Sequence, residues 1–259
     1  MDKLNFKDFQ LSNTILESLN KLGYNSPSKV QEKVIPLVLK DKDIVVKSQT
    51  GSGKTAAYAI PICEKTEIEE KNPQALVLTP TRELALQIKE DFSYIGRLKK
   101  INCTALFGKE PISLQIERLK QRVHVVTGTP GRILDHIERN TLILEKIKYL
   151  VIDEADEMLS RGFMEQVETV INKLPKNRTT LLFSATIPGQ ILKLCTVYMR
   201  NPINIEVQCK NSVKDRIKQI YYKVEAPCKF SLLNKIIYTK RPESSMIFCR
   251  TKNNVDDLV

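Results

Sequence analysis

Six short apolar runs recur along the first three quarters of this chain: DIVVKS (43–48), ALVLTP (75–80), CTALFG (103–108), VHVVTG (123–128), YLVIDE (149–154) and TTLLFSAT (179–186). Each is nearly continuous in its hydrophobicity rather than alternating, as in strands buried on both faces. The segments between them carry helical spacing; in TRELALQIKEDFSYI, Leu84, Ile88 and Ile95 share one face. Strand alternating with helix implies parallel pairing, because a parallel connection must cross over the sheet. The expected fold is α/β, a mostly parallel sheet covered by helices on both faces.

No apolar run approaches the roughly 18 residues that span a bilayer, and MDKLNFKDFQ contains no apolar signal-like stretch. Six cysteines at 63, 103, 195, 209, 228 and 249 form no C-x-x-C pair. That disfavours a zinc or redox motif and suits free thiols in a reducing cytoplasm, the compartment expected here. With 41 Lys+Arg against 30 Asp+Glu, the formal net charge is +11. A basic balance favours a polyanionic partner.

Ahead of the repeating core, Ser12 is placed to cap a first helix burying Ile15, Leu16, Leu19 and Leu22, with Gly23 ending it. After YMRNPINIEV the pattern restarts: IKQIYYKVE (217–225) reads as a strand, KFSLLNKIIYTK (229–240) as a helix, SSMIFCR (244–250) as a strand, and NNVDDLV (253–259) as the start of another helix.

SQTGSGKT (48–55) lies between the first core strand and a helix. Gly51 and Gly53 allow strained turns, so the N–H groups of the loop Thr50–Gly51–Ser52–Gly53 can face phosphate oxygens. The following helix adds its positive end. Lys54 can reach the β- and γ-phosphates, and the Thr55 hydroxyl can ligate Mg²⁺. The usual pattern begins with Gly, and Ser48 stands there instead. Asp153, Glu154, Asp156 and Glu157 gather in five positions after the run YLVI. Ligands of parallel α/β sheets sit beyond the C-terminal strand ends, so loop and acids can meet across one Mg-nucleotide. Asp153 would hold Mg²⁺ and Glu154 would activate the attacking water. A solvated acidic helix start is the simpler account of Glu157.

Asp153-Glu154-Ala155-Asp156 spells DEAD, and the chain resembles the DEAD-box RNA helicases over essentially its whole length. KSQTGSGKTAAYAIP, YLVIDEADEML and FGKEPISLQ are similar to the bacterial DbpA-like branch, which implies ATP-dependent unwinding of RNA in ribosomal RNA or ribosome assembly. The resemblance implies a RecA-like P-loop domain over 1–206, with an adenine-reading segment at its start, and an incomplete second RecA-like domain over 207–259. GYNSPSKVQ (23–31) resembles the adenine-reading motif: Gln31 would contact the adenine edge, Tyr24 would stack on the ring, and Phe6 would support the site. An amide gives and accepts one hydrogen bond each there, matching adenine and not guanine. Ser184 and Thr186 of SAT would bond to the DEAD acids and link nucleotide state to strand separation, placing Asp156, Ser184 and Thr186 with the catalytic group.

Three further segments resemble the family's RNA contacts: Pro80, Thr81 and Arg82 in PTRELA; Thr129, Pro130, Gly131 and Arg132 in TPGR; and Gly108, where the family's Gly-Gly turn reads Gly108-Lys109. Thr81 and Thr129 are helix caps by sequence, with Pro130 at the first helical position. Helix starts with nearby arginines bind phosphates without reading bases. MIFCRTK (246–252) matches an early motif of the second domain, and no later arginine motif follows. Since such arginines contribute about 10³–10⁵ in rate, this chain alone is expected to hydrolyse ATP slowly. A non-catalytic ATP- and RNA-binding fragment and a DNA-directed P-loop ATPase stay open as alternatives. Nothing in the sequence indicates an oligomer.

Overall fold

The computed structural model describes residues 4–48, 51–207, 218 and 220–258. The chain forms two compact units, Met1–Lys210 and Asn211–Val259.

The first unit is built on seven strands: β1 (Ile44–Ser48), β2 (Ala75–Leu78), β3 (Cys103–Leu106), β4 (Val125–Gly128), β5 (Tyr149–Ile152), β6 (Thr179–Ser184) and β7 (Ile203–Val207). Their spatial order is β3-β4-β2-β5-β6-β1-β7, and every pairing is parallel. The helices are α1 (Asn13–Lys21), α2 (Lys29–Leu39), α3 (Lys54–Lys65), α4 (Arg82–Ile95), α5 (Ile112–Leu119), α6 (Pro130–Glu138), α7 (Ala155–Ser160), α8 (Met164–Lys173) and α9 (Gly189–Tyr198).

Successive residues of each strand go to opposite faces, and two cores result. Ile44, Val46, Val77, Val151 and Phe183 join residues of α1 to α4. Val45, Leu76, Leu78, Ile152 and Leu182 join residues of α6 to α9. The sequence runs extend past the strands they mark: 75–80 forms a strand only to Leu78, and 149–154 only to Ile152. The surplus residues lie in the loops at the C-terminal edge. β7 is a seventh strand that the search for continuous apolar runs passes over. It is an edge strand, paired only with β1, and alternates exposed and buried positions.

At the N-terminus, α1 ends in a Schellman arrangement. Tyr24 N–H donates to Leu19 O and Gly23 N–H to Asn20 O, each 3.0 Å, with Gly23 at φ +76°. Two expectations fail here. Leu22 closes the helix and stays 38% exposed. Ser12 precedes the helix without capping it, because its hydroxyl donates to Glu64 Oε2 at 2.8 Å.

The second unit contains a 3₁₀ turn (Ala226–Cys228), α10 (Lys229–Lys240) and α11 (Lys252–Asp256), the last capped by Thr251 accepting from Asn254 N–H. The strands expected at 217–225 and 244–250 do not form among the described residues. A helix closes its own hydrogen bonds, whereas a strand needs neighbours, and none pairs with these segments. Tyr221 and Phe248 accordingly stay 92% and 88% exposed.

Buried Asp43, just before β1, binds the N-terminal strand ends. Its Oδ1 accepts from Thr180 N–H at 2.8 Å and its Oδ2 from Arg200 N–H at 2.6 Å. Asp43→Ala should cost about 2–4 kcal/mol, since it strands two backbone donors. Guanidinium titration with an unchanged slope reads this directly; a loss under about 1 kcal/mol would contradict the assignment.

Candidate active site and nucleic-acid face

Because all strands run one way, every loop that leaves a C-terminal strand end emerges on one edge. The loops after β1, β5 and β6 bring 51–55, 153–156 and 184–186; those after β2, β3 and β4 bring 80–82, 108–109 and 129–132. In spatial order, the second trio occupies β3-β4-β2 and the first β5-β6-β1. The edge is divided into two contiguous halves that meet at β2 and β5, where Asp153 N–H donates to Leu78 O at 3.0 Å.

On the half formed after β5, β6 and β1, the candidate nucleotide half, Gly51 and Gly53 take φ +77° and +88°, values that disfavour any side chain. A Cβ on Gly53 would also stand 2.8 Å from Gln31 Nε2 and 3.1 Å from Ser28 Oγ. Thr50 lies outside the described residues. Ser48, where a glycine is usual, closes β1, is buried and does not have a positive φ, so no glycine is required there. Lys54 begins α3, is buried, and donates to Ser48 O at 3.4 Å. Thr55 follows, half-buried.

Two hydrogen bonds fasten the start of α2 to this loop: Ser28 Oγ to Ser52 O, 3.0 Å, and Gln31 Nε2 to Gly53 O, 3.2 Å. Gln31 Oε1 also accepts from Ser28 N–H at 2.8 Å. The family resemblance assigns Gln31 to the adenine edge; in the structure its amide, 3% exposed, also links two segments. It retains one N–H and one acceptor lone pair beyond these bonds. Phe6 and Tyr24 meet edge to face at 6.1 Å and line a cavity of about 360 Å³ that Gln31 does not border.

Asp153 is buried. Its Oδ2 accepts from Tyr58 O–H and its Oδ1 from Glu154 N–H, both at 2.9 Å. Burial pushes its carboxyl up, against the opposing pull of Lys54 and the two hydrogen bonds. Glu154 is also pushed up, by burial and then by the Asp153 charge. Glu154 takes φ +53°, ψ +53° at the start of α7. For a residue with a Cβ this costs about 1–2 kcal/mol. Neither this backbone nor Tyr58 was foreseen. Tyr58, on α3, lies fully buried against Phe183, with ring centroids 5.1 Å apart.

Asp156 Oδ2 accepts from Thr186 N–H and Oγ1–H, both 2.9 Å, while Asp156 N–H donates to Ser184 Oγ at 3.1 Å. Burial raises this carboxyl, but hydrogen bonding by Ser184 and Thr186 outweighs it, and the group titrates below the usual range. Lys54, Glu154, Asp156, Thr186 and, from the other half-edge, Thr81 line one cavity of about 560 Å³.

On that other half, Thr81 Oγ1 accepts from Leu84 N–H at 3.2 Å and caps α4. Thr129 precedes α6 without a side-chain cap, and Pro130 opens the helix. The Arg82 guanidinium carbon sits 4.8 Å from the centre of the Phe107 ring. Arg132 Nη1 donates to Glu110 O at 3.0 Å. Lys109 takes φ +65°, so the missing second glycine falls at the position that needs a left-handed residue. Gly108 has no such need.

A family model described as DEAD/DEAH box helicase matches residues 28–194. The chain belongs to this family. It is 55% identical over 98% of its length to the ATP-dependent RNA helicase DbpA of Bacillus subtilis, covering 53% of that protein. It is 42% identical over 98% to the DEAD-box ATP-dependent RNA helicase CshA of Geobacillus kaustophilus, covering 54% of it. The chain thus spans about half the length of these curated relatives. The crystal structure of a DEAD box protein from Methanococcus jannaschii superposes with a TM-score of 0.77 at 37% identity, covering all of this chain and 69% of that one. The seven-stranded sheet is the RecA-like fold of that family. Among the described residues, no helix is long and apolar enough to cross a membrane.

Two outcomes follow from the nucleotide half. Gly53→Ala should lower nucleotide affinity about tenfold or more in calorimetric titration, because φ +88° and the Gln31 contact both resist a methyl group. Glu154→Gln should raise the unfolding midpoint at pH 7.5. The raised carboxyl pKa means that its ionised form opposes folding: the penalty is full above the folded pKa and absent below the unfolded value near 4.3. The difference between variant and parent should therefore vanish as pH falls to about 4. A constant offset from pH 8 to pH 4 would refute that account.

Proposed function

We propose that this chain is the ATP-binding part of an ATP-dependent RNA helicase. It binds ATP with Mg²⁺ and couples hydrolysis to local separation of an RNA duplex. The observation that carries this is the 560 Å³ cavity, whose wall joins Lys54 and Glu154 of the nucleotide half to Thr81 of the other half.

The residues present fit a magnesium ion. Asp153 sits buried with its carboxyl pushed up, a deficit of positive charge that a hard cation would relieve. Asp153 and the Thr55 hydroxyl would hold it. When bound, Mg²⁺ would supply positive charge against the charge that develops on the phosphates. The loop Thr50–Gly53 and Lys54 hold the phosphates. Phe6, Tyr24 and Gln31 take the adenine, the last through its remaining N–H and lone pair. Glu154 accepts the proton of the attacking water; its raised pKa makes it a better base than a solvated glutamate. Thr186 and Ser184 hold Asp156 in register with the end of β6.

RNA lies across the half formed after β3, β4 and β2. Pro80, Thr81, Arg82, Gly108, Thr129, Pro130, Gly131 and Arg132 contact its backbone, so binding is largely independent of sequence. The similarity to DbpA supports RNA over DNA as the substrate.

Single-turnover hydrolysis of Mg·ATP tests the assignment. Glu154→Gln should retain ATP binding and lose about 10²–10⁴ in rate, the worth of a positioned general base. Equal rates for parent and variant would overturn Glu154 as the base. Preference for duplex DNA over duplex RNA at one fixed salt concentration would overturn the substrate.

A further inference from the structure

Beneath the RNA half of the edge lies a chain of buried polar groups that nucleotide chemistry does not use. Gln115 of α5 and His136 of α6 are both fully buried. Gln115 Nε2 donates to Phe107 O at 2.9 Å and to Glu110 Oε2 at 2.8 Å. Both acceptors demand N–H groups, so the amide orientation is fixed and Oε1 faces His136 Nε2 at 3.2 Å. An amide oxygen only accepts, so His136 carries its proton on Nε2. Its Nδ1 lies 2.8 Å from Thr141 Oγ1, so it accepts from a hydroxyl whose one proton is shared with His136 O at 3.1 Å. Burial, with the Arg132 charge adding to it, pulls the imidazole down to about 4, so it is neutral near pH 7 and this tautomer holds.

The far end of this chain is the left-handed turn at Lys109. Glu110 is held at its other carboxylate oxygen by Arg118, and Glu110 O accepts from Arg132. The Phe107 ring carries Arg82. Three cationic segments from three different loops therefore converge on one strap: Arg82 through Phe107, Lys109 through its flanking residues, and Arg132 through Glu110. Without the amide, Phe107 O and one Glu110 oxygen lose their shared donor, and the turn is left to Arg118, which reaches Ala105 O at 3.5 Å and the other Glu110 oxygen.

We propose that Gln115 and His136 are positioning residues for RNA: their hydrogen-bonded relay fixes the 107–110 turn, and with it the spacing of the Arg82, Lys109 and Arg132 charges along the phosphate backbone. The inference rests on the RNA reading above and deepens it. The relay touches neither Lys54 nor the DEAD acids, so its loss should weaken RNA binding while leaving the nucleotide site intact.

The test uses the 259-residue chain, a fluorescein-labelled single-stranded RNA and Mg·ATP. His136→Leu removes both ring hydrogen bonds. His136→Gln restores a donor toward Gln115 and an acceptor toward Thr141. The leucine variant should bind RNA about tenfold more weakly, as expected for a charge-positioning network worth one or two hydrogen bonds. Its plot of log affinity against log salt should be shallower by about one, because one phosphate fewer is neutralised. The glutamine variant should recover most of both, and Mg·ATP affinity should be equal in all three. Thr141→Val, which removes only the hydroxyl donor, should show the same pattern more weakly and carries the test if the leucine variant does not fold. RNA affinity and salt slope unchanged in the folded variants would overturn the relay, as would a parallel fall in ATP affinity. Failure of the parent chain to bind RNA at low salt would instead bring down the RNA reading itself.

Discussion

The parallel direction of the seven strands is the constraint on which everything else depends. Parallel pairing forces every connection to cross over the sheet and delivers every β-to-α loop to the same edge. Strand order then decides which loops are neighbours. Segments separated by nearly a hundred residues, such as 51–55 and 153–156, face one another because β1, β6 and β5 are consecutive in space. The loops after β2, β3 and β4 form their own neighbourhood beside it. The β2–β5 pairing is the seam, and Thr81 reaches across it into the cavity that Lys54 and Glu154 line.

The half of the edge after β5, β6 and β1 holds energy that folding alone would not favour. Two adjacent carboxyls are pushed up by burial, and Glu154 sits in a left-handed backbone conformation. Gly51 and Gly53 keep φ values that other residues resist. The apolar layers on both faces of the sheet supply the stability against which these costs stand. By contrast, Asp156 is fully engaged by Thr186 and Ser184 and titrates low, so its arrangement is already favourable without a ligand. The three acids of one short motif thus differ in physical character: two pushed up by burial and one built into the scaffold.

Sequence periodicity exposed six of the seven strands because each is an apolar run bounded by turn residues. β7 escaped because an edge strand alternates and carries Glu206 and Asn204 toward solvent. The phosphate loop and the acids were legible because their chemistry needs particular side chains at fixed spacing. Helix ends were less so: Thr81 caps as its position suggests, while Ser12, in an equally suitable place, is taken by Glu64 from a distant helix. Gln31 was read for its amide but not for its partner, because its bond to Gly53 crosses 22 residues. The strands expected in the second unit show the converse, a local pattern with no neighbouring strand among the described residues to realise it.

The sequence by itself determined the α/β class, the glycine-lysine loop and the acidic motif, since these depend on side-chain type and short-range spacing. Only the tertiary structure decided the order of strands, hence the division of the edge into two halves. It also decided the tie between Gln31 and the phosphate loop, the unequal ionisation of Asp153, Glu154 and Asp156, and the buried relay from Thr141 to the Lys109 turn. Those features rest on burial and on contacts between residues far apart in the chain. No local pattern encodes them, because hydrogen bonds and desolvation act on whatever the fold brings together.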